Sequence, residues 1–226
     1  MIHSTAIIHP DAQLHESVRV GPYSVIDEHV TVGAGCELAP HVHLTGHTTI
    51  GAENRFHAGC VIGDAPQDLK YSCEPTRLII GERNLFREHV TIHRSNTPSE
   101  DTRIGSENFF MANSHVGHNS IIGNKAILAN GVLIAGHAMI GDGAFLAGNA
   151  VVHQFCRVGA MAMMQGCAGV SLDLPPFTIV RGINGMCGLN SVGLKRAGFS
   201  AKERSQLKKA YHAIFLSDDL LKDALE

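Results

Sequence analysis

The chain has 226 residues, enough for one sizeable domain and a small appendage. Its formal charge of −3, with 15 His taken as neutral, argues against a nucleic-acid binder, which needs a basic stripe. Trp is absent and aromatics make up 5%, so the core must be built from small and branched side chains, and no apolar run is long enough to cross a bilayer.

The opening residues 1–10 carry two His and do not read as a signal peptide. Six Cys occur (Cys36, Cys60, Cys73, Cys156, Cys167, Cys187) with no CxxC pair, which points to a reduced, cytoplasmic chain. From Ile2 every sixth residue is apolar: Ile8, Leu14, Val20, Ile26, Val32, Leu38, Leu44, Ile50, Phe56 and Ile62. The register resumes at Ile80, Phe86 and Ile92, and again runs from Ile104 to Val170. Gly often follows the repeated residue (Gly21, Gly33, Gly117, Gly141), and a small or β-branched residue stands four places on (Val30, Cys36, Val42, Ser120, Ala138).

A period of six fits no α-helix. It fits a triangular solenoid with one hexad per side and 18 residues per coil, an all-β prism whose repeated apolar residue points inward and whose Gly relieves the turn. Residues 18 apart then stack at about the 4.8 Å strand spacing. The hexapeptide pattern resembles the left-handed parallel β-helix families, and handedness comes from that resemblance. The solenoid is expected over residues 1–182, with polar, Pro-containing insertions at 64–79 and 94–103 of the kind that make ligand or partner contacts.

Pro175 and Pro176 are expected to end the coil. Residues 183–226 then read as a helical tail on the solenoid end. Ser200 and Glu203 form a capping box, Leu207, Ala210, Tyr211, Ile214 and Phe215 an apolar stripe, and Lys202, Arg204, Lys208 and Lys209 a basic face.

Neither a GxSxG elbow, a Walker loop nor a structural-zinc spacing occurs, so no cofactor and no metal are expected. Within the unbroken register, His118, His137 and His153 occupy neighbouring columns on three successive coils, with Gly136 between them and Gln154 beyond. They predict one outer ridge where a general base and a backbone oxyanion donor meet. A chance column of surface His fits the same arithmetic. A zinc hydratase on this solenoid would show His five residues apart, and no two His are so spaced. A non-catalytic scaffold would not keep so many motifs.

The segments QDLKY (67–71), EPTR (74–77), TIHR (91–94), NSHVGHNSIIGN (113–124), AGH (135–137), VHQF (152–155) and GLKRAGF (193–199) resemble the UDP-N-acetylglucosamine 3-O-acyltransferases of lipid A assembly over nearly the whole chain. The resemblance implies a cytoplasmic homotrimer with sites between subunits, an acyl donor held on acyl carrier protein and a UDP-sugar acceptor. It makes His118 the general base and Gly136 N–H the oxyanion donor. It assigns Gln67, Asp68 and Lys70 to the sugar and its phosphate. His115, His137, His153 and Gln154 would line the cleft, Asn190 and Arg196 would meet the nucleotide, and Gly166 would set acyl length. The basic face, with Lys195 and Arg196, would meet the acidic carrier protein.

Several positions depart from the family pattern. Asn119 stands where an Asp usually accompanies the catalytic His, and an amide does not stabilise imidazolium as a carboxylate does. Val192 replaces an acidic residue, Ala197 a basic one, and Ile183 and Asn184 break a GNxA pattern. They motivate a second reading, a divergent paralogue acylating a different nucleotide sugar, an amino sugar being one example.

Overall fold

Short parallel strands recur every six residues, most of them two residues long, as in Ile7–Ile8, Gln13–Leu14 and Arg19–Val20. The computed structural model describes residues 1–217; the part of the expected helical tail at 218–226 lies outside them. Among the described residues the strands form sheets of nine, eight and ten members, the three faces of a prism. Most strands pair with the strand one coil on in a register of 18: Ile8 with Ile26, Ile26 with Leu44, Val116 with Ile134, Ile134 with Val152. Inter-coil bonds such as Gly117 N–H to the Ile134 carbonyl (2.8 Å) satisfy the backbone, and the repeated apolar residues from Val20 to Val170 are buried. The small residues four places on, among them Cys36, Cys60, Ser120 and Ala138, are buried beside them. Phe56, Phe86 and Phe110 stack through the middle at 4.7 and 4.9 Å.

The glycine after each repeated residue does not relieve the turn. None of Gly21, Gly33, Gly51, Gly81, Gly105, Gly117, Gly123, Gly141 and Gly159 has a positive φ. Side chains are excluded there because coils stack closely: a Cβ on Gly33 would stand 2.7 Å from the Gly51 carbonyl carbon. The left-handed residue lies two places further on and is often not glycine, as at Tyr23 (φ 58°), Asn119 (φ 59°) and His137 (φ 58°).

Both insertions are shorter than their polar sequence suggests. Arg77–Ile80 and Asp101–Ile104 are strands that pair residue for residue, Arg77 with Asp101 through Ile80 with Ile104. Arg77 Nε and Arg103 both donate to the buried Asp101 carboxylate at 2.7 Å, which holds those polar residues inside the sheet. The excursions therefore start after Val61–Asp64 and after Thr91–His93. Register partners across them stand further apart than 18, as Ile62 with Ile92 and Ile92 with Val116 show, and the sheet is continuous on either side.

The proline pair does not end the stack. Thr178–Arg181 adds another parallel strand beside Met163–Met164, and Gly185–Leu189 returns antiparallel to it, so the chain is not yet helical at 183. Among the described residues the helices are α1 (Ser191–Arg196) and α2 (Ala201–Phe215). The capping box forms: Ser200 Oγ accepts from Glu203 N–H at 3.2 Å, and Glu203 accepts from Ser200 N–H at 2.7 Å. The apolar stripe is only partly covered: Ala210 and Phe215 are exposed and no residue of α2 is buried, its main neighbours being α1 and the last strand. One Arg204 guanidinium N–H donates to the Phe199 carbonyl, and the group keeps its charge.

Candidate active site

Stacking by 18 carries His115, Leu133, Val151 and Gly169 up one face of the prism. At the edge of that face opens a cleft of about 800 Å³ lined by Gln67, His93, His115, His118, Gly136, His153 and Gln154, with apolar walls from Leu133, Val151, Val170 and Ile183. The ridge expected from the column arithmetic is therefore real for His118, Gly136, His153 and Gln154. His137 belongs to it differently. Its ring meets His118 edge-on at 5.2 Å and stacks on Phe155, one coil further, at 4.8 Å, outside the lining of the cleft.

His118 is held at its Nδ1, 2.8 Å from Asn119 Oδ1. Its other edge faces Gly136, where a Cβ would stand 2.9 Å from both Cε1 and Nε2. The N–H of Gly136 makes no backbone hydrogen bond among the described residues, whereas its carbonyl accepts from Phe155 N–H. An imidazole nitrogen able to accept a proton thus lies beside a free backbone donor, the pair that acyl transfer through a tetrahedral oxyanion requires.

Burial opposes charge on three of the surrounding imidazoles. Burial first, then His93 and His118, pushes His115 down to about 4, and its Nδ1 lies 2.8 Å from Thr91 Oγ1. Burial also lowers His93, which meets His115 edge-on at 4.9 Å and whose buried Nδ1 lacks a protein partner among the described residues. Burial and then His118 lower His137, with Glu100 opposing. An uncharged imidazole accepts hydrogen bonds as well as donating them. The side chains close enough together to share a metal ion are, among the described residues, His9, Asp11 and Glu28 on the outer surface and not the cleft histidines.

The two insertions meet over His118. In the first, the Lys70 N–H and then the Asn96 amide hold the Asp68 carboxyl below the usual carboxylate range, at 2.9 and 2.8 Å. Asn96 belongs to the second insertion, and its N–H donates to Asn119 Oδ1 at 3.0 Å. Arg94 clamps the first insertion by donating to Tyr71 Oη and the Gly63 carbonyl. Gln67 reaches the cleft, whereas the Lys70 side chain is exposed.

Asn190 and Arg196 are not brought to His118. They line a second cavity of about 1010 Å³ on a different face of the prism, with Lys125, Gln165, Val192 and Ala197. The Asn190 side chain caps α1, accepting from Gly193 N–H at 3.0 Å and donating to the Met161 carbonyl at 2.9 Å. Gly166 sits at an exposed corner outside both cavities. Sequence reasoning missed His93, Ser95, Asn96, Glu100 and Phe155. Phe155 was readable, standing 18 after His137; the insertion residues follow no period and had no column to be read from.

A three-sided parallel solenoid with an imidazole set against an unsubstituted glycine N–H at a coil edge defines a hexapeptide-repeat acyltransferase. Residues 101–136 match the family described as bacterial transferase hexapeptide (six repeats), and residues 173–226 match UDP N-acetylglucosamine O-acyltransferase, domain 2. The chain is 48% identical to the acyl-[acyl-carrier-protein]--UDP-N-acetylglucosamine O-acyltransferase of Herminiimonas arsenicoxydans, covering 99% of this chain and 86% of that protein. It is 46% identical to the enzyme of the same name from Anaeromyxobacter sp. (strain Fw109-5), over 99% of this chain and 88% of that one. The solved UDP-N-acetylglucosamine acyltransferase of Francisella novicida superposes with a TM-score of 0.96 at 38% identity, covering 99% of this chain and 83% of that one. The chain belongs to the UDP-N-acetylglucosamine O-acyltransferase family, and its fold is the left-handed parallel β-helix of that family with a short helical tail.

Proposed function

We propose that the protein transfers a 3-hydroxyacyl group from acyl carrier protein to the 3-hydroxyl of UDP-N-acetylglucosamine, in the cytoplasm, as a step of lipid A assembly. The observation that carries this reading is His118, anchored at Nδ1 by Asn119 and presenting its far edge to Gly136 inside the cleft. His118 Nε2 takes the proton of the sugar hydroxyl as that oxygen attacks the thioester carbonyl. The Gly136 N–H receives the oxyanion. Collapse breaks the carbon–sulfur bond, and the His118 proton leaves with the carrier thiol. Holding both substrates in one cleft removes most of the entropic barrier. Gln67, Asp68 and Lys70 bind the sugar and its phosphate, and His115, His137, His153 and Gln154 shape the acceptor site.

The placement of Asn190 and Arg196 supports a homotrimer. On one chain they lie on another face from His118, so a nucleotide extending from the sugar meets them only on a neighbouring copy. Gly166, at an exposed corner, sets acyl length. The exposed Lys195, Arg196, Lys202, Lys208 and Lys209 receive the acidic carrier protein. No helix among the described residues is long and apolar enough to cross a membrane, in keeping with soluble substrates.

No observation favours the divergent paralogue. Val192 and Ala197 line the second cavity without closing it. Acceptor profiling tests the reading: with 3-hydroxyacyl carrier protein as donor, UDP-N-acetylglucosamine is expected to yield the 3-O-ester. Acylation confined to a 3-amino analogue would replace this reading with the alternative.

A further inference from the structure

The departure at Asn119 has a partner that no family motif names. We propose that Glu100 is a positioning residue for His118, acting through the Asn119 amide; this rests on His118 being the base of the proposed transfer. Asn119 is buried, and its backbone N–H is fixed by Thr102 Oγ1 at 2.7 Å. Two of the groups its amide touches have a single role. The Asn96 N–H can only donate, and it lies 3.0 Å from Oδ1. The Glu100 carboxylate can only accept when ionised, and its Oε2 lies 2.7 Å from Nδ2, which is also 2.9 Å from Ser95 Oγ. Turned over, the amide would set N–H against N–H at Asn96 and oxygen against carboxylate at Glu100.

Oδ1 therefore faces His118, and Nδ1, 2.8 Å away, is the nitrogen that carries the proton. Nε2 is left with its lone pair toward the cleft and Gly136. A neutral amide alone supplies orientation but no charge. Glu100 supplies the charge one bond removed, polarising the amide toward a stronger acceptor. The same carboxylate lies 3.8 Å from Nδ1 of His137, the ring that meets His118 edge-on. Glu100 itself is more than half exposed, so its loss is expected to spare the fold.

Two sets of variants test this. Glu100→Ala is expected to lower kcat about tenfold with KM for UDP-N-acetylglucosamine within about twofold and an unchanged melting temperature. Asn119→Asp alone sets two carboxylates against each other and is expected to lose activity. In Asn119→Asp with Glu100→Gln the amide and carboxylate exchange places, and kcat is expected to exceed that of Asn119→Asp and of Glu100→Ala. Wild-type kcat in Glu100→Ala, or a double variant no faster than Asn119→Asp or than Glu100→Ala, overturns the proposal. A readout independent of turnover is the histidine 15N spectrum of the unliganded protein. His118 is expected as the Nδ1–H tautomer in wild type, with the Nε2–H fraction rising in Glu100→Ala. A wild-type His118 protonated at Nε2, or one unmoved by Glu100→Ala, overturns the proposal whatever the substrate. The expected tautomers in a protein that transfers no acyl group would instead sink only the functional reading.

Discussion

Gly136 carries no side chain because His118 occupies the space: a Cβ there would stand 2.9 Å from the ring's Cε1 and Nε2. The obstacle is a side-chain ring and not backbone, so Gly136→Ala is expected to fold and to displace the imidazole. A displacement near 1 Å costs on the order of a hundredfold in rate. Steady-state kinetics with a melting curve check this: kcat is expected to fall about a hundredfold while the melting temperature holds within a few degrees.

His115 gives the cleft a pH signature. Its folded value of about 4 lies below the 6.5 of an unperturbed imidazole, because burial and then its two His neighbours oppose the charge. Between those pH values the unfolded chain binds a proton that the folded chain refuses. Stability therefore falls as pH drops through about 6.5 and levels off below about 4, by up to about 3 kcal/mol from this group. His93 and His137 shift the same way. Urea titrations at neutral pH and near pH 5 are expected to show the loss, and His115→Gln to show less of it. An identical pH dependence in the variant would remove His115 from the account.

If the nucleotide end of the site comes from a neighbouring copy, inactive chains should complement one another. Arg196→Ala and His118→Ala each damage one half of the composite site. Chains unfolded together in equal amounts and refolded should regain up to about a quarter of wild-type activity, the chance that both halves of a site are intact. Separately refolded chains mixed afterwards should regain none, and a co-refolded mixture without recovery would place both halves on one chain.

Much of this was legible in the sequence, for one physical reason. A six-residue period with 18 residues per coil converts position into place, so His118, Gly136, His153 and Gln154 could be assembled by arithmetic. The same arithmetic carries no information where the period lapses. Asn96 and Glu100, which set the amide beside His118, lie in an insertion and were invisible to it. It also misread the glycines, since a Gly following each apolar residue looks like a turn signal. Their cause is the approach of stacked backbones, and the left-handed φ falls on residues such as Asn119 and His137. At the C-terminal end the paired prolines suggested a stop, yet Thr178–Arg181 continues the sheet because the strand starts after them.

Gly166 offers a test of acyl selection that spares the fold. A Cβ there would meet the Gly148 carbonyl at 3.5 Å, an ordinary contact, and its φ is not in the left-handed region. Gly166→Met is expected to keep the melting temperature and to shift preference toward shorter acyl carrier substrates. Unchanged chain-length selectivity in a folded variant would separate Gly166 from the acyl pocket.

In the proposed mechanism His118 removes the acceptor proton during acyl transfer. The most direct test is the rate at which 3-O-acylated UDP-N-acetylglucosamine forms from UDP-N-acetylglucosamine and 3-hydroxyacyl carrier protein, read by mass spectrometry. Wild type is expected to turn over, with His118→Ala slower by about a thousandfold, within the span usual for a positioned general base. Equal rates in the two proteins, or no product from either, would contradict it.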